Sequence, residues 1–60
     1  MPLVKVEMMP GRTRDQKSRL AKAIAKSVAD IAVTTPEEVF VVFDERPAEN
    51  WAQGGVLAGD

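Results

Sequence analysis

The sequence contains no cysteine and no histidine, and those two absences exclude more chemistry than any motif in it supplies. Without cysteine there is no disulfide framework, and without either residue nearly every structural zinc site is excluded. Without histidine there is also no Ser-His-Asp set. Aromatic residues make up only 5% of the chain, and the net charge of −1 gives no electrostatic case for nucleic acid or an anionic membrane as partner. No glycine-rich phosphate loop is present, and no apolar run approaches the length of a membrane span. No signal-peptide core follows Met1. The expectation is a soluble cytoplasmic protein.

What remains is short and rather apolar. Sixty residues, 45% of them hydrophobic, make a single domain spanning 1–60. A chain of that size buries only about 60% of its unfolded surface, so it is marginal alone. With disulfides and metals excluded, self-association is the default remedy.

Leu3 to Met8 alternates, with Val4, Val6 and Met8 on one side and Lys5 and Glu7 sharing the other with Leu3, which is the period of a strand. Pro10-Gly11 stops it with turn chemistry. Thr13-Arg14-Asp15-Gln16 reads as a capping box, and a helix is expected over Arg14–Ala32. Its apolar stripe is Leu20, Ile24, Val28 and Ile31, widened by Ala21, Ala25 and Ala32. Lys17, Arg19, Lys22 and Lys26 are assigned to the solvated side. Thr34-Thr35-Pro36 ends the helix, and Pro36-Glu37-Glu38 suits a short turn. Val39-Phe40-Val41-Val42-Phe43 is a second strand, apolar on both faces and closed by Asp44-Glu45-Arg46-Pro47. Strand, helix, strand implies a β-α-β unit with parallel strands. One helix covers one face of two strands, so other copies must cover the rest. Gly54-Gly55 near the end suggests a tight turn in a small hairpin.

Two features could carry chemistry. Removal of Met1 would turn the Pro2 nitrogen from an inert amide into a rigid secondary amine. Burial in an apolar pocket and a nearby guanidinium both disfavour the ammonium form, leaving a base suited to neutral pH. Arg12 could hold a carboxylate through a bidentate pair and stabilise a developing enolate. The plainer readings are an unused Met-Pro start and a solvated arginine near a helix start. Trp51 could wall a pocket or serve as core or interface, while Phe40 and Phe43 default to core. Asp44, Glu45 and Glu49 suit a general base or a wet loop.

Met1-Pro2, the alternating strand, Gly11-Arg12-Thr13 leading into Asp15-Gln16-Lys17, the apolar parallel strand and Asn50-Trp51-Ala52-Gln53-Gly54-Gly55 together resemble the small tautomerases related to 4-oxalocrotonate tautomerase. The resemblance spans the whole chain. It implies an α+β fold whose β-α-β subunits pair through their sheets, with helices over a shared sheet, as a homo-oligomer, a hexamer built as a trimer of dimers. It further implies an amino-terminal proline as acid/base, small 2-oxo acids or their enols as substrates, and no metal or organic cofactor.

Carried over by position, Pro2 is the acid/base, Arg12 binds a carboxylate in a pocket shared between subunits, and Trp51 walls that pocket. The second arginine of the dicarboxylate tautomerase falls at Phe40. One cation and an added aromatic favour a monocarboxylate such as an aryl 2-oxo acid, unless Arg46 supplies the missing charge. Relatives that hydrate or dehalogenate unsaturated acids use a carboxylate that falls at Gln53, which cannot act as a base. The alternatives to a tautomerase are therefore such a hydratase or dehalogenase, or a non-catalytic oligomeric subunit.

Overall fold

In a computed structural model, which describes residues 1–59, the chain forms two strands bridged by one long helix, followed by a small hairpin. Strand β1 is Leu3–Met8, helix α1 is Arg14–Ala32 and strand β2 is Phe40–Glu45. A single 3-10 turn at Pro36–Glu38 leads into β2, and another at Ala48–Asn50 precedes the hairpin. Strands β3 (Ala52–Gln53) and β4 (Val56–Leu57) form that hairpin, with Gly54 at φ 60° and Gly55 at φ 82°. Both central residues of this two-residue turn lie in the left-handed region, which matches the twist of antiparallel strands and favours glycine.

The helix starts where the sequence offers its cap. Thr13 Oγ1 accepts a hydrogen bond from the Gln16 N–H at 3.1 Å, and Gln16 Oε1 accepts from the Thr13 N–H at 2.9 Å. Two donors left over by the first turn are thereby satisfied reciprocally. Thr13→Ala is expected to destabilise the protein by about 1 kcal/mol, read by denaturant unfolding at one fixed protein concentration because association contributes to stability. At the other end Val33 adopts φ 57°, and the Val33 and Thr34 N–H groups both donate to the Ala29 carbonyl. A β-branched residue in that conformation is strained.

Strands β1 and β2 are parallel, in a register that pairs Leu3 with Phe40 and Met8 with Glu45. Side chains alternate across a strand, so Val4, Val6, Val41 and Phe43 face the helix while Leu3, Phe40 and Val42 face the other way. The helix turns its half-buried face, Ala21, Ile24, Ala25 and Val28 with Ala29, toward β2. The core is thin: Ala29, at 5% exposure, is the only buried residue among those described.

Four expectations need correction. Strand β2 runs two residues past the apolar segment, to Glu45. Asp44 and Glu45 can extend it because each meets a cation: Asp44 lies beside Arg46 and Lys5, and Glu45 accepts from Lys17 Nζ at 2.7 Å. The same bond removes Lys17 from the solvated side, drawing it over the end of the sheet. The apolar stripe is narrower than its periodicity suggests, since Leu20 is exposed and Ile31 is 84% exposed. Phe40 is not core: it is 52% exposed on the face away from the helix, beside Leu3 at 65% and Val42 at 44%. Among the described residues, nothing covers that apolar face.

Candidate active site

Strand β1 fixes where the two candidate chemical groups can be. At about 3.3 Å per residue, the stretch from Pro2 to Met9 is roughly 23 Å long. Pro2 sits at its beginning, where its carbonyl accepts a hydrogen bond from the Phe40 N–H at 2.9 Å. That bond continues the parallel ladder one step before Leu3 and ties the amino terminus to the start of β2. Phe40 and Pro2 therefore share one end of the sheet. Met1 projects beyond it, 88% exposed.

Arg12 and Trp51 belong to the opposite end. Arg12 follows the Pro10-Gly11 turn, exposed, with Gly11 at φ 132°, a value that L side chains rarely adopt. Among the described residues it has no ion pair or side-chain hydrogen bond. Trp51 is half-buried, and its indole Nε1 donates to the Arg46 carbonyl at 3.0 Å, while the Arg46 N–H donates to the Met8 carbonyl at 2.9 Å. These links hang the indole beside the end of β1. The hairpin then folds back, with the Ala58 N–H donating to the Trp51 carbonyl at 2.8 Å. The result is a cleft of about 450 Å³ lined by Met9, Trp51, Gln53, Val56 and Leu57, with Ala52, Ala58 and Gly59 completing it.

Of the four residues singled out from the sequence, the fold brings Phe40 to Pro2 and places Arg12 and Trp51 at the far end of the same strand. One copy does not bring Pro2 to Arg12. Met9 was not singled out from the sequence. The available signal was its position as the second of two adjacent methionines, where strand alternation has already ended. Phe43, the other aromatic, points to the helix side. Among the described residues there is no group of three or more acidic side chains able to hold a metal ion.

Arg46, the candidate for a second carboxylate-binding cation, is paired with a carboxylate of its own chain. Its Nη2 donates to Asp44 at 2.9 Å, and Lys5 Nζ approaches the same carboxylate at 3.7 Å. The Arg46 guanidinium, by hydrogen bond and then by charge, holds the Asp44 carboxyl below its ordinary value of 3.8, and Asp44 in turn raises Arg46. A carboxylate whose folded pKa is depressed contributes stability above its unfolded pKa and loses it as pH falls through the folded value. Asp44→Asn is expected to lower the melting temperature at neutral pH. That difference should shrink once both states are protonated, well below pH 3.8, as thermal scans at the two pH values would show.

A family model described as "Tautomerase enzyme" matches residues 2–60. A probable tautomerase of Bacillus cereus is 41% identical over 61 residues, covering 100% of this chain and 98% of its own. A probable tautomerase of Lactococcus lactis is 38% identical over 57 residues, covering 95% and 93%. Among solved structures, a heterohexamer 4-oxalocrotonate tautomerase from Chloroflexus aurantiacus superposes with a TM-score of 0.90 at 30% identity, covering 100% of this chain and 97% of that one. YwhB, a homologue of 4-oxalocrotonate tautomerase, gives 0.91 at 29% identity, with 98% and 97% covered. No helix among the described residues is long and apolar enough to cross a membrane. With a β-α-β subunit matched along its length, the chain belongs to the tautomerase family.

Proposed function

We propose that this chain, once Met1 is removed, is a cofactor-independent keto–enol tautomerase of small 2-oxo acids, with Pro2 as the proton carrier. The observation that carries the reading is the placement of Pro2. Its carbonyl is pinned by the Phe40 N–H, so its ring nitrogen stands at the free end of an ordered strand. Two further facts support it: the family match begins at Pro2, and Met1 is exposed enough to be lost without disturbing the packing.

In the enolising direction the neutral Pro2 nitrogen takes a proton from C3 of the substrate. The C–H electron pair becomes the C2–C3 double bond, and the carbonyl pair moves to oxygen, which is then protonated. Ketonisation is the reverse, with the Pro2 ammonium delivering its proton to C3. Arg12 holds the carboxylate through a two-point charge-assisted contact and stabilises negative charge as it grows on the adjacent oxygen. Phe40 walls the Pro2 end and Trp51 the other. With Phe40 beside the base and Arg46 already committed to Asp44, one cation serves the site. A monocarboxylate with an apolar remainder, such as an aryl 2-oxo acid, therefore suits it better than a dicarboxylate.

Strand β1 holds Pro2 and Arg12 apart, so a complete site takes Pro2 and Phe40 from one copy and Arg12 and Trp51 from another. The assembly is a homo-oligomer, a hexamer built as a trimer of dimers. In it the exposed face of Leu3, Phe40 and Val42 is covered by further copies. The test compares phenylenolpyruvate ketonisation by Met-free protein and by protein carrying a residue before Pro2, with intact mass confirming each start. Met-free protein should be far faster. Equal rates would remove the Pro2 amine from the reaction and leave a non-catalytic subunit as the better reading.

A further inference from the structure

The cleft beside Trp51 has an unusual polarity for a site that serves an acid. None of the described side chains that line it carries a charge. Its two polar side chains are those of Trp51 and Gln53, and the indole N–H of Trp51 is already spent on the Arg46 carbonyl. The Gln53 carboxamide has no hydrogen-bond partner among the described residues. It has both a donor and an acceptor to offer, and the backbone of Gln53 is held by pairing with Val56 across the Gly54-Gly55 turn. An exposed, unpartnered carboxamide on the wall of this cleft can read one uncharged polar group.

Size points the same way. An apolar cavity of about 150 Å³ accepts a benzene ring, and this cleft is near 450 Å³, room for a ring that carries a substituent. Leaving the carboxamide unpaired against a purely apolar ligand forfeits a hydrogen bond, a modest penalty in an open cleft.

We infer that Gln53 is a specificity-determining residue that reads a neutral hydroxyl or carbonyl on the end of the substrate remote from its carboxylate. This deepens the tautomerase reading and rests on it for the identity of the substrate's acid end. The preferred substrates are then 2-oxo acids whose ring or chain bears one uncharged hydrogen-bonding substituent. A second carboxylate at that position would find no counter-charge.

The experiment separates this from catalysis by measuring binding to protein whose proposed base has been removed. On a Pro2→Ala background, trans-4-hydroxycinnamate and trans-cinnamate are titrated by calorimetry against chains bearing Gln53, Gln53→Met or Gln53→Glu. With Gln53 the hydroxylated acid should bind about three- to tenfold more tightly. Gln53→Met, of similar length and unable to hydrogen-bond comparably, should bring the ratio to about one. Gln53→Glu keeps an acceptor and should retain the preference even if both acids bind less tightly. Circular dichroism confirms that each variant is folded. Equal affinities with Gln53 in place, or a ratio unchanged in Gln53→Met, would overturn the inference. Loss of Pro2-dependent turnover from the earlier comparison would not, because the ratio reports the cleft alone.

Discussion

Pro2→Ala, processed so that the substituted alanine carries the free amino terminus, is expected to lower kcat/KM for enol ketonisation by about 10²- to 10⁴-fold, the range for removing a well-placed general acid or base. The variant keeps a free amine, but on a flexible primary nitrogen rather than a ring. Proline holds its φ close to −65° and confines the nitrogen in a five-membered ring, so both direction and basicity change together. The fold should be indifferent, because the Pro2 atom it uses is the carbonyl that accepts from the Phe40 N–H, and alanine supplies that equally. The measurement is steady-state ketonisation of phenylenolpyruvate with intact mass and oligomer size checked for each protein. A loss in kcat with unchanged assembly locates the defect in the proton transfer. Undiminished kcat would mean that the reaction, if present, uses another base.

The second large effect is a recovery. Pro2→Ala and Arg12→Ala proteins should each be nearly inactive alone, yet a mixture refolded together in equal amounts should regain roughly a quarter of wild-type activity. That fraction is what random assembly gives when each site draws Pro2 from one copy and Arg12 from a different one across a symmetric oligomer. If both residues of a site came from a single copy, every site in the mixture would carry a defect and no activity would return. Recovery is expected because about 23 Å of extended chain, from Pro2 to Met9, precedes the turn that leads to Arg12. Mixing without refolding is the control, since intact oligomers that do not exchange subunits should stay inactive.

The parts of this fold that could be read from the residues were those governed by local rules. β1 follows from strict alternation between Leu3 and Met8, and α1 begins at Arg14 because Thr13 and Gln16 form a reciprocal cap. The hairpin follows from two adjacent glycines. What could not be read depends on which surface each element meets. Helical periodicity groups Leu20 and Ile31 with Ile24 and Val28, but a narrow two-stranded sheet reaches only part of the stripe. Phe40 looks like core by type, yet register with Leu3 turns it to the side that has no helix. Asp44 and Glu45 look like the end of a strand until their partners are known: Lys5 and Arg46 for one, Lys17 for the other. The placement of Pro2, Phe40 and Arg12 follows from the strand order, whereas the Trp51 cleft depends on a hairpin that closes over Met9 by tertiary hydrogen bonds. Gln53 drew notice only by its position in the family pattern.

The six residues of β1 act as a ruler. In the proposed assembly each copy would lend its two ends to different neighbours, so the length of this strand would set the spacing between sites as well as the geometry within one. Inserting one residue would reverse which side chains meet the helix, and inserting two would restore that pattern while lengthening the ruler by about 6.6 Å. No repair at a single pocket could absorb either change, because the same displacement would recur at every pocket of that assembly. Length in this segment should therefore be far less free to drift than composition.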